Sequence, residues 1–176
     1  MFYYKVINRK GGKILNEPVI EKRKVTLDGF SFVGRAARTT NEAEMTEEGM
    51  IPKVNEYFFE NQLLEKISHR KNNNIIALYT NYESDEKGSY EYAVGCEVGE
   101  DNIFSDEMKR FTIPEQKYIV FTTKKGPLNE VILEAWQFIW NWSKDNKRAF
   151  TADFELYDEK SIDPQNGQAD IYISVK

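Results

Sequence analysis

The chain carries one succession of signals twice along its 176 residues: an extended stretch, an amphipathic helix, then two strands joined by a polar turn. In the first half the extended stretch is Val19–Thr39, read as one long strand bent at Asp28-Gly29. A polar loop over Thr40–Gly49 follows it. Ile51-Pro52 then opens a helix to about Ser68, since proline in the first turn lacks only an N–H that would have had no partner. Strands over Ile75–Tyr82 and Tyr90–Val98 complete the half. An acidic linker, Gly99–Lys109, leads to the second half. There Phe111–Thr123 is extended around Pro114, Gly126-Pro127 opens a helix to about Asn146, and Thr151–Tyr157 and Ala169–Val175 are strands. The pattern predicts an α+β fold of two βαββ repeats, about 19–98 and 111–176, related by pseudo-twofold symmetry. Antiparallel sheets would carry both helices on one face and leave a ligand cleft between the repeats.

Residues 1–18 stand outside the repeat. Arg9-Lys10-Gly11-Gly12 between Phe2–Ile7 and Ile14–Leu15 predicts a hairpin, as an extension that would cap the cleft or mediate association. Residues 1–25 hold seven basic and two acidic side chains, so the remainder is more acidic than the net −5 of the whole chain. An acidic body is ill suited to binding nucleic acid through phosphates and attracts neutral or cationic ligands. No segment has the length and apolarity of a membrane span and Met1–Lys10 lacks a signal-peptide core, so the expected location is cytoplasmic. A single cysteine, Cys96, excludes an internal disulfide and a cysteine zinc site. Alternating with Val94 and Val98, it fits a small buried hydrophobe. His69 is the only histidine, and Ser68-His69-Arg70-Lys71 suits the end of a helix better than a catalytic site. No cofactor or metal is expected; Glu83, Asp85 and Glu86 fit a solvated turn.

In the second helix Leu128, Val131, Ile132, Ala135, Ile139 and Trp142 form one stripe, with Trp136 and Trp140 one turn apart on its edge. From pattern alone these indoles either seal the helix against the sheet or wall a pocket. In the following strand Asp153, Glu155 and Tyr157 point one way, Phe154 and Leu156 the other. If Phe154 and Leu156 pack under the helices, Glu155 and Tyr157 line the opposite, cleft-side surface. Glu155 is then either a solvated strand residue or, flanked by aromatics, a receptor for a bulky organic cation.

Several ordered strings carry a family resemblance. Tyr79-Thr80-Asn81-Tyr82-Glu83-Ser84-Asp85, Gly126-Pro127, Trp136-Gln137-Phe138-Ile139-Trp140, Asp153-Phe154-Glu155-Leu156-Tyr157-Asp158 and Asp170-Ile171-Tyr172-Ile173 resemble the GyrI-like effector-binding domains. Those domains serve AraC- and MerR-type multidrug regulators and also occur alone, as in integron-cassette cation-binding proteins. The resemblance implies a stand-alone binder of bulky hydrophobic, cationic compounds, acting in drug sensing, sequestration or transcription regulation. It implies Glu155 as the carboxylate and Trp136, Trp140, Tyr157, Tyr82 and Tyr92 as its aromatic surroundings. Nothing in the chain corresponds to a helix-turn-helix, so control of transcription would pass through a homodimer or a separate regulator protein, without direct nucleic-acid binding. Two other activities of relatives remain open: hydrolysis of cyclopropane-containing toxins with Glu155 as general base assisted by Tyr157, and protection of DNA gyrase by an acidic interaction surface.

Overall fold

Eight strands form one fully antiparallel sheet in the computed structural model, which describes residues 17–176. They are β1 (Val19–Leu27), β2 (Phe30–Thr39), β3 (Ile75–Thr80), β4 (Tyr90–Val98), β5 (Lys109–Ile113), β6 (Gln116–Thr123), β7 (Ala152–Tyr157) and β8 (Asp170–Val175). Helices α1 (Asn41–Glu44) and α2 (Ile51–Glu60) lie between β2 and β3, and α3 (Leu128–Ser143) lies between β6 and β7. The hairpin expected over Phe2–Leu15 falls outside the described residues.

The spatial order is β1-β6-β8-β7-β3-β4-β2-β5. Exchanging β1 with β5, β2 with β6, β3 with β7 and β4 with β8 reverses this order onto itself, so strands at like places in the two halves take like places in the sheet. The halves are nonetheless not two sheets side by side. The stretch Val19–Thr39, read as one bent strand, is two strands, as is the stretch extended around Pro114, and the pieces part company at each break. β1 crosses to pair with β6, while β5 crosses to pair with β2. The two breaks lie against each other: a Cβ on Gly29 would stand 2.9 Å from the Ile113 carbonyl oxygen and 3.4 Å from the Pro114 carbonyl carbon. Only a glycine lets the backbones pass so closely, and Pro114, lacking an N–H, cannot continue the β5 ladder.

Side chains alternate between two cores. On one face Ala77, Tyr79, Tyr92, Val94, Cys96, Ile171 and Ile173 meet Val54 and Phe58 of α2 and Ile132, Ala135 and Ile139 of α3. The other face buries Phe32, Leu78, Tyr118, Val120 and Phe154 with no helical residue among them. The sheet's own curl closes that face. Phe30 of β2 meets Phe154 of β7 with ring centroids 5.8 Å apart, although three inter-strand steps on a flat sheet would separate them by roughly 14 Å.

The first-half helix stops earlier than its apolar pattern predicts. Gln62 takes a left-handed backbone (φ 51°), after which Leu63–Lys66 make a single 3-10 turn. That reversal swings Leu63, which a continuous helix would hold on the side opposite Val54, fully into the core. The loop expected over Thr40–Gly49 contains α1, started by the Thr40 hydroxyl accepting from the Ala43 N–H at 3.0 Å.

Candidate functional site

At the centre of the sheet β3 and β7 run antiparallel, with Ala77 opposite Glu155 and Tyr79 opposite Asp153. Phe154 and Leu156 do not pack under the helices, which reverses the expected orientation of this strand. Phe154 stacks on Tyr172 (4.4 Å, 10° between planes) and meets Tyr118 edge-on at 5.4 Å, so the aromatic cluster of the helix-free face claims it. Alternation then directs Glu155 toward α3.

Glu155 is 2% exposed. Its Oε1 accepts from the Trp136 indole Nε1 at 2.7 Å and the Tyr79 hydroxyl at 2.9 Å; its Oε2 accepts from the Tyr157 hydroxyl at 2.5 Å. All three donors are neutral, and no lysine or arginine among the described residues forms an ion pair with it. Burial raises its pKa above the ordinary carboxylate value, and the three hydrogen bonds offset only part of that rise.

Two of those donors, Tyr79 and Trp136, also line a cavity of about 760 Å³ on the helix side of the sheet. Tyr82, Tyr90, Trp140 and Phe150 complete its aromatic wall. Trp136 and Trp140 sit 6.2 Å apart, centroid to centroid, and Trp136 meets Tyr79 edge-on at 5.3 Å. Strand alternation alone would put Tyr79 and Tyr82 on opposite faces. A left-handed residue between them, Asn81 (φ 49°), turns both toward the cavity.

Of the residues singled out from sequence, Trp136, Trp140 and Tyr82 therefore line the cavity. Glu155 lies immediately behind its wall, and Tyr157 holds the other side of the carboxylate without lining the cavity. Tyr92 is one layer deeper. It is buried beneath Tyr79 (5.2 Å), donates its hydroxyl to Asn55 Oδ1 at 3.0 Å, and is absent from the lining. Sequence reasoning did not single out Tyr79, Tyr90, Phe150, Arg148 or Glu44, all of which line the cavity. Tyr79 stood in one of the strings that carry the family resemblance; Glu44 stood in what looked like a polar loop.

Arg148 adds no free positive charge to the wall. Its Nη2 donates to Asp153 Oδ2 at 2.5 Å in a fully buried pair, and its guanidinium lies 4.4 Å over the Phe150 ring. Desolvation is the largest single influence on Arg148 and lowers its pKa, but the charge of Asp153, the neighbouring Tyr82 and the hydrogen bond to Asp153 together raise it above the ordinary value. Asp153 further accepts from the Tyr82 hydroxyl at 2.8 Å and from the N–H and hydroxyl of Ser174 at 2.6 and 2.8 Å. The pair is thus a brace that ties Tyr82, β7 and β8 together. His69 and Cys96 lie elsewhere: the exposed His69 ring places Nδ1 2.6 Å from the Asp101 carbonyl oxygen, and burial pushes the Cys96 thiol up to about 11.

A curled sheet with two helices on one face, and an aromatic cavity over a buried carboxylate, together define a small-molecule-binding α+β module. Residues 23–175 match the Cass2 family, described as integron-associated effector binding protein, and the chain belongs to that family. The Bacillus subtilis (strain 168) protein YobU, named as a candidate transcriptional regulator, is 39% identical over 151 residues, spanning 85% of this chain and 94% of its own. Among solved structures, the integron cassette protein from the mobile metagenome of Vibrio cholerae superposes with a TM-score of 0.71 at 27% identity, over 90% of this chain and 97% of its own. SAV2435, solved with tetraphenylphosphonium, has a TM-score of 0.66 at 18% identity, over 89% and 94% of the two chains, and shares the fold. No helix among the described residues is long and apolar enough to cross a membrane.

Proposed function

We propose that this chain is a cytoplasmic receptor for a bulky lipophilic cation, with Glu155 as the counter-charge and Trp136, Trp140, Tyr79 and Tyr82 as the surrounding surface. The observation that carries this reading is a carboxylate 2% exposed beneath an aromatic cavity, satisfied among the described residues by three neutral donors and no cation. Ionising such a group without a counter-charge is costly. A cation in the cavity supplies that charge, and the aromatic faces add cation–π attraction of about 0.5–2 kcal/mol per good contact. Neutral ligands of the same shape gain the apolar contact but not the compensation. SAV2435, which shares the fold, was solved with a cation of this type. The regulator name of YobU supports a sensing role, in which the ligand-bound chain acts on a second copy or a separate regulator.

Two of the three tryptophans line the cavity, so intrinsic fluorescence reports on it directly. Tetraphenylphosphonium should quench it saturably. Glu155→Gln should weaken that cation about tenfold or more, the scale of one charge-assisted contact, and leave a neutral triaryl compound nearly unchanged. No saturable quenching, or equal losses for cation and neutral compound, would sink the reading.

A further inference from the structure

A second carboxylate borders the same cavity, contributed by the other half of the chain. Glu44, the last residue of α1, is buried and lines the wall together with Asn41 and Tyr90. Its Oε1 accepts from the Thr39 hydroxyl at 2.5 Å, the Met50 N–H at 2.7 Å and the Ile51 N–H at 3.3 Å. Its Oε2 has a single long contact, 3.3 Å from the Ile51 N–H. Beside that oxygen stands Gly49, where a Cβ would come within 2.7 Å of it. As with Glu155, no lysine or arginine among the described residues pairs with Glu44. Among the described residues, the basic side chains that line the cavity are Arg148, held by Asp153, and Lys144, Lys147 and Lys176, which are exposed to solvent.

Between the two carboxylates runs an aromatic bridge. Tyr79 donates to Glu155 and its ring lies 5.9 Å from that of Tyr90, whose hydroxyl donates at 3.1 Å to Asn41 on the helix that carries Glu44. Both carboxylates push the Tyr90 ionisation upward, after the larger effect of burial, which places that ring within the field of each. A cavity of about 760 Å³ is roomy enough for a drug-sized ligand.

We propose that Glu44 is a second cation-binding carboxylate of this cavity, so that the ligands it favours carry two positive charges joined by an apolar or aromatic span. The inference rests on the cation-receptor reading of Glu155 and specifies the ligand class of that site. One charge meets Glu155 and the other Glu44, while the aromatic wall covers the span. Helix capping by Glu44 accounts for the contacts of Oε1 but demands nothing of the cavity-lining position.

The test uses bis-quinolinium compounds of increasing linker length, each against its one-headed half, titrated by tryptophan fluorescence into the full chain. At least one two-headed compound should bind about tenfold more tightly than its half, the scale of one charge-assisted contact. Glu44→Gln should abolish that advantage, costing the two-headed compound about tenfold more than its one-headed half. Glu155→Gln should weaken both kinds, while the two-headed compounds keep their advantage through Glu44. Should Glu44→Gln fail to fold, the wild-type and Glu155→Gln titrations still decide. If no two-headed compound outbinds its half, or the advantage survives Glu44→Gln, the proposal is overturned and the cation reading stands. If neither kind binds, both fall together.

Discussion

Burial of the Glu155 carboxyl makes the stability of the fold depend on pH. A buried carboxyl whose pKa is raised in the folded state holds its proton more tightly there than in the unfolded chain. Its contribution to stability is therefore most favourable at acid pH. That contribution is lost as pH rises from the ordinary carboxylate value of 4.5 through the raised one. Glu155→Gln should accordingly melt above wild type at neutral pH without ligand, and the gap should close as pH is lowered toward 4.5. Saturating tetraphenylphosphonium should reverse the order, because it stabilises the wild type by mass action. Thermal melts across pH check this, and a gap independent of pH would show that the carboxyl charge is not what differs. That Asp153, Glu155 and Tyr157 share one side of their strand was legible from alternation. Which side was not, because Tyr172, Tyr118 and Phe30 decide it by packing around Phe154, and they come from three other strands. For the same reason Tyr92, a sequence candidate, ended in the core: the alternation that links it to Tyr90 says nothing of the Tyr79 ring above it.

Among the elements, α2 shows how a periodic pattern misleads near a helix end. Asn61 and Gln62 break the helix, and the left-handed Gln62 resets the phase of the residues after it. Phe59 stays 54% exposed, whereas Leu63, which a continuous helix would hold on the side opposite Val54, is 0% exposed. A continuous helix to Ser68 would have left both outside the core. Leu63→Ala should therefore cost about 2–5 kcal/mol, as for other buried leucines, and Phe59→Ala about 0.5 kcal/mol or less. Urea denaturation of the two variants separates the geometries, and similar small losses would favour the unbroken helix. The strands were more legible than the helices: Tyr90–Val98 was delimited correctly because its alternating small and aromatic residues end at glycine and polar turns on both sides. The breaks at Gly29 and Pro114 were visible as residues but not as partings. A bend within one strand and a crossing between two leave the same local signature.

At the scale of the molecule, that crossing decides how the halves depend on each other. The first strand of each half has its only described ladder in the opposite half, β1 on β6 and β5 on β2. The central β3–β7 pairing joins them again, beneath a cavity lined from both sides. The two halves therefore correspond in strand order, and neither is expected to fold without the other. A chain cut after the exposed Ile103 tests this. The fragment 1–103 would present β1, β2 and β3 with unpaired ladders, and 104–176 would do the same with β5, β6 and β7. Each fragment keeps three paired strands and one of the helices α2 and α3, but leaves its first strand without a partner and exposes to water the core residues that pack against the other half. Each fragment alone should give a disordered far-UV circular dichroism spectrum, and an equimolar mixture should recover a cooperative melt. Tetraphenylphosphonium should raise the melting temperature of the mixture only, since Tyr82 and Tyr90 come from one fragment and Trp136 and Glu155 from the other. A fragment that folds and melts cooperatively alone would mean that its first strand does not need the other half, and the exchanged pairing would then be wrong.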